Sequence, residues 1–193
     1  MSTPMFDLEN AATLLEGVVA GITDDRLAAP TPTAMTVRDM VQHVLGFTEG
    51  FRRGATKEGI GASLPPSAAA PQSLPQDWRA QVPAQCKALV EAWRAPAAWE
   101  GETEVGGATG PAPQMACFAL DELIVHGWDL ARATGQPFTP IEQDLVILLE
   151  MLADTPPEGI PGLFGPRVPV APDATLLDRV IGLTGRDPAW QAD

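Results

Sequence analysis

The sequence predicts an all-α fold, a bundle of four core helices with an additional C-terminal helix and loops. Apolar residues recur at helical spacing in four separate stretches, which cover about residues 6–22, 36–51, 76–94 and 114–134. Helix start and stop signals bound these stretches, and segments rich in Gly and Pro separate them. Because no internal repeat or second domain is visible, residues 1–193 are expected to form one domain, with a C-terminal extension over residues 138–193.

The first two predicted helices carry capping signals as well as apolar periodicity. The first places Leu, Ala and Val residues at helical spacing and meets Gly21 as a stop signal. Thr36 suits the N-cap of the second helix, and Asp39 three residues later completes a variant of the capping box. Within that helix His43 lies four residues before Phe47, so the histidine is expected to share a face with apolar neighbours.

The later helices alternate with connections of very different composition. Residues 54–74 are rich in Gly, Pro, Ala and Ser and predict a long, partly mobile loop before the third helix. The linker 100–113 contains four Gly and two Pro residues, which suits either a short hairpin or a plain loop. The fourth helix ends at Gly135, a fifth is expected at about 140–153, and a short helix at about 174–183 is expected to pack over the bundle.

The charge and composition of the chain exclude several classes of partner. With 25 acidic against 12 basic residues the formal net charge is −13, and such a surface repels the phosphates of nucleic acids and anionic membranes. No stretch reaches the roughly 18 apolar residues needed to span a bilayer, and the N-terminus has no signal-peptide pattern, so a soluble, cytoplasmic protein is expected. Cys86 and Cys117 lie in no metal or redox motif and are interpreted as small, buried apolar residues.

Three residues predict a metal site. The chain has only two histidines, and His126 lies four residues after Glu122, so both side chains leave the same face of the fourth helix. The other histidine, His43, lies in the second helix, from which it could complete a three-ligand site with an open position. Two imidazoles and one carboxylate suit divalent ions such as zinc, nickel, iron(II) or manganese. An open position is typical of a catalytic metal rather than a structural one.

A second interpretation of the same residues needs no metal. Glu-x-x-x-His pairs arise by chance on helices, where the side chains are simply solvated or satisfied within the core. A metal is favoured because histidine is absent elsewhere and because the residues around Glu122 are largely apolar. A charged glutamate is seldom buried without a partner, and a metal would supply one. The spacing by itself leaves both interpretations open.

Several nearby residues have more than one candidate role. Asp129 could accept an imidazole N–H, serve as a fourth ligand or form a salt bridge to Arg132 or to a neighbouring helix. Asp39 could orient the His43 ring, although helix capping is the favoured role. The turn around Arg186 is expected to be structural and to tie down the C-terminal segment.

Four sequence motifs together resemble one family, and they span most of the chain. They are Val37-Arg-Asp-Met-Val-Gln-His43-Val, Asp121-Glu122, His126-Gly-Trp-Asp-Leu-Ala-Arg-Ala-Thr-Gly135 and Leu183-Thr-Gly-Arg-Asp-Pro188. The chain resembles DinB-like metal-binding proteins related to the mycothiol-dependent maleylpyruvate isomerase N-terminal domain. The resemblance implies a DinB-like up-and-down four-helix bundle. It also implies a divalent metal held by His43, Glu122 and His126. Two histidines and one glutamate are a known composition for a catalytic zinc site, so zinc is the expected metal, with nickel or iron as alternatives.

The same resemblance implies a chemistry. Characterised relatives use a low-molecular-weight thiol such as mycothiol, bacillithiol or glutathione. A mycothiol-dependent isomerase or S-transferase acting on a small-molecule electrophile is therefore expected, with the metal holding the thiolate. Three alternatives stay open, namely a metal-dependent hydrolase, a non-catalytic metal- or ligand-binding protein and a purely structural bundle. The loop 54–74 and the linker 100–113 are the expected pocket wall, and a homodimer is one option for the oligomeric state.

Overall fold

The computed structural model of the protein describes residues 5–58 and 73–192 and is mainly helical, as predicted. Two short strands, β1 (Glu102–Val105) and β2 (Ala108–Pro111), lie between the third and fourth helices. Observed helix bounds fall within a few residues of the predicted ones, and residues 59–72 of the predicted loop lie outside the described residues. The α-helices are α1 (Glu9–Ala20), α2 (Val37–Ala55), α3 (Trp78–Arg94), α4 (Ala112–Thr134), α5 (Glu142–Leu152) and α6 (Leu176–Leu183).

Helices α1 to α4 pack against one another around a shared apolar core. Helix α2 contacts both α3 and α4, and α1 contacts the same two helices. Leu15, Met40, Leu89 and Leu120, one from each helix, are all fully buried in this core. Burying an aliphatic side chain of this size stabilises the fold by about 2 kcal/mol. The core therefore holds α2 and α4 side by side.

Helix α2 begins where the sequence places its capping signal. The Asp39 backbone N–H donates to the Thr36 hydroxyl oxygen at 3.2 Å, and the Thr36 backbone N–H donates to an Asp39 carboxylate oxygen at 3.1 Å. Hydrogen bonds from the Thr36 hydroxyl and backbone hold the pKa of Asp39 below its usual range. Asp39 therefore caps the helix that carries His43, the role favoured from the sequence.

The linker 100–113 forms a hairpin rather than a plain loop. Its two strands pair antiparallel around Gly106 and Gly107, whose φ angles are 60° and 83°. Positive φ at both positions is what a tight two-residue hairpin turn requires. The Thr103 hydroxyl donates to the Gly54 carbonyl oxygen. The hairpin is thereby held against the C-terminal end of α2.

Two glycines shape the C-terminal half of α4 and the chain that follows it. Gly135 follows the last helical residue with a φ of 70°, the left-handed conformation that commonly ends a helix. Gly127 packs directly against the Phe138 ring. A Cβ atom at this position would lie only 2.7 Å from the ring carbon Cε2. The missing side chain at Gly127 therefore lets the segment after α4 cross this helix closely.

The C-terminal segment packs back onto the other helices. Helix α5 contacts α4, α6 contacts α5, and Val180 of α6 joins the common core. The Arg132 guanidinium on α4 donates to the carbonyl oxygens of Pro188 and Trp190 at 3.1 and 2.6 Å. No helix within residues 5–58 and 73–192 combines the length and apolar character that crossing a bilayer requires.

Candidate metal centre

The structure brings the three predicted ligands together. Nε2 of His43 and Nε2 of His126 each lie 3.0 Å from the same oxygen, Oε2 of Glu122. Ligand atoms from the three side chains all lie within 4.8 Å of one another. His43 comes from α2, and the other two come from successive turns of α4. The packing of α2 against α4 therefore builds the cluster from residues 79 positions apart.

An aromatic residue supports both imidazoles. The Phe47 ring centroid lies 5.5 Å from that of His43 and 6.2 Å from that of His126. The two imidazole rings are perpendicular, with their centroids 4.7 Å apart. Phe47 is itself buried, so one side of the cluster rests on the apolar core.

Asp129 orients the His126 ring from the opposite side. Its oxygen Oδ2 lies 2.9 Å from Nδ1 of His126, and its side chain has no exposed surface. A carboxylate that binds one ring nitrogen in this way directs the other nitrogen toward a metal. Arg186 holds the carboxylate in turn, since its Nε and Nη2 atoms donate to Asp129 oxygens at 3.0 Å. Of the roles considered for Asp129, the contact with the imidazole is present, and the salt bridge is formed with Arg186 rather than with Arg132.

The electrostatics of the cluster favour a cation beside Glu122. Burial alone would raise the pKa of Glu122, but hydrogen bonds from His126 and His43 hold that pKa well below its usual range. Burial also disfavours a charged His126, yet its hydrogen bonds with Asp129 and Glu122 raise its pKa to about 9. The site therefore stabilises an ionised glutamate and positive charge next to it.

The donor set also fits a divalent ion geometrically. Donor atoms that share an ion at about 2.0–2.1 Å in a tetrahedral site lie roughly 3.4 Å from one another. The two nitrogen-to-oxygen separations of 3.0 Å are within a few tenths of an ångström of that value. Imidazole nitrogen and carboxylate oxygen are ligands that zinc, nickel and iron(II) accept. His43, Glu122 and His126 could therefore hold a divalent metal.

A cavity of about 140 Å³ opens on the cluster. Its wall includes residues 162–164 and Arg186, all of which follow α5 in the chain. The prediction that the linker 100–113 lines the pocket is wrong, because the hairpin packs on α2 and contributes no lining residue. Residues 59–72 of the other predicted wall lie outside the described residues. The remaining lining residues are His43, Phe118, Asp121, Glu122, Val125 and His126.

Asp121 is a lining residue with an unusual environment. The residue is only 7% exposed, and its buried oxygen Oδ1 has no hydrogen-bond partner. Burial, reinforced by the neighbouring Glu122 carboxylate, raises the pKa of Asp121 to about 7. The sequence showed Asp121 only as part of a motif, because its burial depends on segments distant in the chain.

The two cysteines lie outside this cavity. Cys86 is fully buried, and burial raises the pKa of its thiol to about 12. Cys117 is half-buried, and burial raises its pKa as well. The interpretation as a buried apolar residue is confirmed for Cys86, whereas Cys117 is only partly buried. A thiolate at this site would therefore have to come from a bound molecule.

The fold and the geometry of the cluster define the class of this protein. It is a mainly helical protein with a candidate divalent-metal site of two histidines and one glutamate. Residues 8–131 match the family model described as the mycothiol maleylpyruvate isomerase N-terminal domain, a range that includes all three candidate ligands. The chain belongs to this family, as its motifs predict. Arg186 and the cavity wall at residues 162–164 lie beyond the matched range.

Two proteins of Mycobacterium tuberculosis are similar to nearly the whole chain. One is from strain CDC 1551 / Oshkosh and one from strain ATCC 25618 / H37Rv, and each is described as an uncharacterized protein. Each is 26% identical over 193 residues, which cover 95% of this chain and 99% of the relative. The similarity therefore extends well beyond residue 131. No solved structure matches the chain significantly.

Proposed function

We propose that the protein is a divalent-metal-dependent enzyme of low-molecular-weight thiol chemistry, an isomerase or S-transferase that uses mycothiol or a similar thiol. The observation that carries the proposal is the convergence of two imidazole nitrogens on one carboxylate oxygen in a chain of this family. His43, Glu122 and His126 are the proposed ligands. Zinc is the proposed metal, because two histidines and one glutamate form a known catalytic zinc site.

The proposed fold is a single DinB-like domain whose helices α1 to α4 form an up-and-down four-helix bundle. The mutual contacts of these four helices and their shared core support this assignment. Helices α5 and α6 belong to the same domain in this proposal, since both contact the helices before them and since Arg132 and Asp129 bind the C-terminal segment.

A divalent ion in this site would supply an open position for sulfur and keep a bound thiol ionised near neutral pH. The protein's own residues orient the ligands and shape the cavity. Asp129 keeps the Nε2 atom of His126 directed at the cluster, and Arg186 keeps Asp129 in place. Phe118, Val125 and residues 162–164 give the cavity an apolar side, which suits the carbon skeleton of an electrophile.

Elemental analysis of protein purified without an affinity tag tests the metal site. We expect about one equivalent of divalent metal in the native protein and none in His43→Ala, Glu122→Ala or His126→Ala. Glu91→Ala, which removes an exposed glutamate of α3, is the matched control and should keep the metal. Circular dichroism should show the same helix content in all variants as in the native protein. Stoichiometric metal in Glu122→Ala would contradict the assignment.

Activity assays separate the proposed chemistry from its alternatives. The metal-loaded protein should convert an electrophile only when a low-molecular-weight thiol is added. Turnover without any thiol would favour a metal-dependent hydrolase, in which the ion activates water. Metal binding with no reaction would favour a non-catalytic binding protein. The oligomeric state, for which a homodimer is one option, is tested separately by the molar mass in solution.

A further inference from the structure

The loop after α5 places an exposed leucine beside the candidate metal centre. Leu163 is 59% exposed, yet it lines the same cavity as the three candidate ligands. Single exposed apolar residues are common on protein surfaces and need no explanation by themselves. Leu163 differs from the exposed Ile141 and Val146, because neither of these lines this cavity. Its side chain therefore belongs both to the wall of the cavity and to the solvent-exposed surface.

A tight turn holds Leu163 in place. The Leu163 backbone N–H donates to the Ile160 carbonyl oxygen at 2.9 Å, which closes a β-turn with Pro161 and Gly162 at its two central positions. Gly162 has a φ of 83°, the left-handed conformation that a type II turn requires there. Ile160 and Phe164 also exchange two backbone hydrogen bonds of 2.9 Å. The leucine is therefore presented by a turn with its own hydrogen bonds.

The base of this loop is fixed to the rest of the chain. The Arg167 guanidinium donates to the Ala153 carbonyl oxygen at 3.0 Å and to the Thr155 carbonyl oxygen. The loop also crosses the backbone of Gly185 so closely that a Cβ atom on this glycine would lie 2.6 Å from Cα of Gly165. A ligand that contacts Leu163 would not have to order the loop first, and such preorganisation favours binding.

The lining of the cavity suits an apolar ligand group better than an anionic one. Four lining residues are apolar, namely Phe118, Val125, Leu163 and Phe164. Leu163 is the most exposed of them. Among the described lining residues, Arg186 alone carries a guanidinium or ammonium group, and its Nε and Nη2 atoms already bind Asp129. An apolar group would therefore find a partner at the exposed edge of the cavity.

The size of the cavity makes this edge important for binding. Its volume of about 140 Å³ is well below the roughly 300–1,000 Å³ of pockets that enclose a drug-sized ligand. The cavity can thus take only one end of such a molecule, and the rest must extend past the exposed edge. Leu163 is the apolar side chain that the extending part would meet.

We infer that Leu163 is a specificity-determining residue that contacts an apolar group of a molecule bound at the metal centre. The inference rests on the proposed function, because it takes an open metal position beside this cavity as given. It adds a preference for an electrophile that bears an alkyl or aryl group over an equally small polar one. The contact removes apolar surface of both partners from water, which is the source of the preference.

Two simple metal ligands that differ only in an alkyl chain test the inference. 1-Methylimidazole and 1-butylimidazole bind a metal through the same ring nitrogen, which has nearly the same basicity in both. Their affinities for the cobalt(II)-loaded protein are measured from the visible absorption of the ion. The native protein should bind the butyl ligand about tenfold more tightly, because each fully buried CH₂ group contributes about fourfold and the edge leaves part of the chain in water. In Leu163→Ala the preference should fall to about threefold or less, with the affinity for 1-methylimidazole unchanged.

An exposed aliphatic residue of α5 provides the matched control. Val146 is 40% exposed and does not line the cavity. Val146→Ala should therefore keep the preference of the native protein for the butyl ligand. The spectrum of the cobalt-loaded protein before ligand is added should be the same in both variants and in the native protein. Loss of the preference in both variants would mean a general effect of removing apolar surface and would overturn the inference.

The outcomes separate this inference from the proposed function. Equal affinities of the two ligands for the native protein would overturn the role of Leu163, and so would a preference that survives in full in Leu163→Ala. Both results would leave the metal site in place, because a nitrogen ligand would still have bound the cobalt ion. A protein that binds no cobalt(II), or whose spectrum responds to neither ligand, would overturn the open metal position and with it both proposals.

Discussion

Two regions of the chain contribute different parts of the candidate site. Helices α2 and α4, within the family-matched residues 8–131, supply every candidate metal ligand. The segment after α5 supplies no candidate ligand among its described residues, but it contributes Arg186 and the cavity wall at residues 162–164. The first region therefore carries the candidate ligands and the Asp129 carboxylate that orients His126, and the second completes the cavity wall and holds Asp129 through Arg186.

This difference separates the binding of a metal from the shape of the cavity beside it. Ligands on two packed helices are positioned by the core that those helices share. A wall formed by a connecting segment can change in sequence without disturbing that core, because loops contribute little to it. We expect that changes in the second region alter which molecules bind, whereas changes in the first alter whether a metal binds at all.

Breaking the link between the regions should have the largest effect on stability. Arg186→Ala removes the guanidinium from the fully buried Asp129 carboxylate, which then keeps only its contact with the His126 ring. We expect the free energy of unfolding, measured with urea, to fall by about 3 kcal/mol. Arg52→Ala breaks a partly exposed pair with Glu49 and should cost less than about 1 kcal/mol. Similar losses in the two variants would mean that Arg186 is not a structural link.

Crowding the contact between α4 and the following segment should have the next largest effect. Gly127→Ala places a methyl group 2.7 Å from a carbon of the Phe138 ring, so we expect a loss of about 2 kcal/mol in the free energy of unfolding. The control is Gly46→Ala on α2, where nothing lies within 4 Å of an added Cβ atom. That variant should gain about 0.5–1 kcal/mol from helix propensity. A gain in both variants would show that Phe138 moves aside freely.

A pH effect at Asp144 on α5, outside both regions, should be the smallest. Burial, reinforced by Asp7, raises the pKa of Asp144 to about 6 from an ordinary value of 3.8. As the pH rises, Asp144 therefore ionises at a lower pH in the unfolded chain than in the folded protein. The free energy of unfolding falls between these two pKa values. Asp144→Asn should raise the melting temperature above pH 6 and leave it unchanged near pH 3.8. An equal increase at both pH values would contradict this origin. The metal content should stay that of the native protein.

The sequence predicted the helices and the meeting of the candidate ligands, but not the wall of the pocket. Helical periodicity and caps such as Thr36 and Gly135 are local signals, so they place α2 and α4 within a few residues. Glu122 and His126 share a face by spacing alone. The contact of Arg186 with Asp129 spans 57 residues and has no local pattern, so only the fold reveals it. The burial of Asp121 is hidden from the sequence for the same reason.

Both histidines of the chain lie in the candidate metal centre. In proton NMR spectra of an untagged sample, every imidazole resonance is therefore a resonance of this site. The rings are perpendicular with centroids 4.7 Å apart, so the ring current of each displaces the signals of the other. His126 and His43 thus form an intrinsic pair of reporters, and titration with a metal or a thiol can be followed on them without any isotope label.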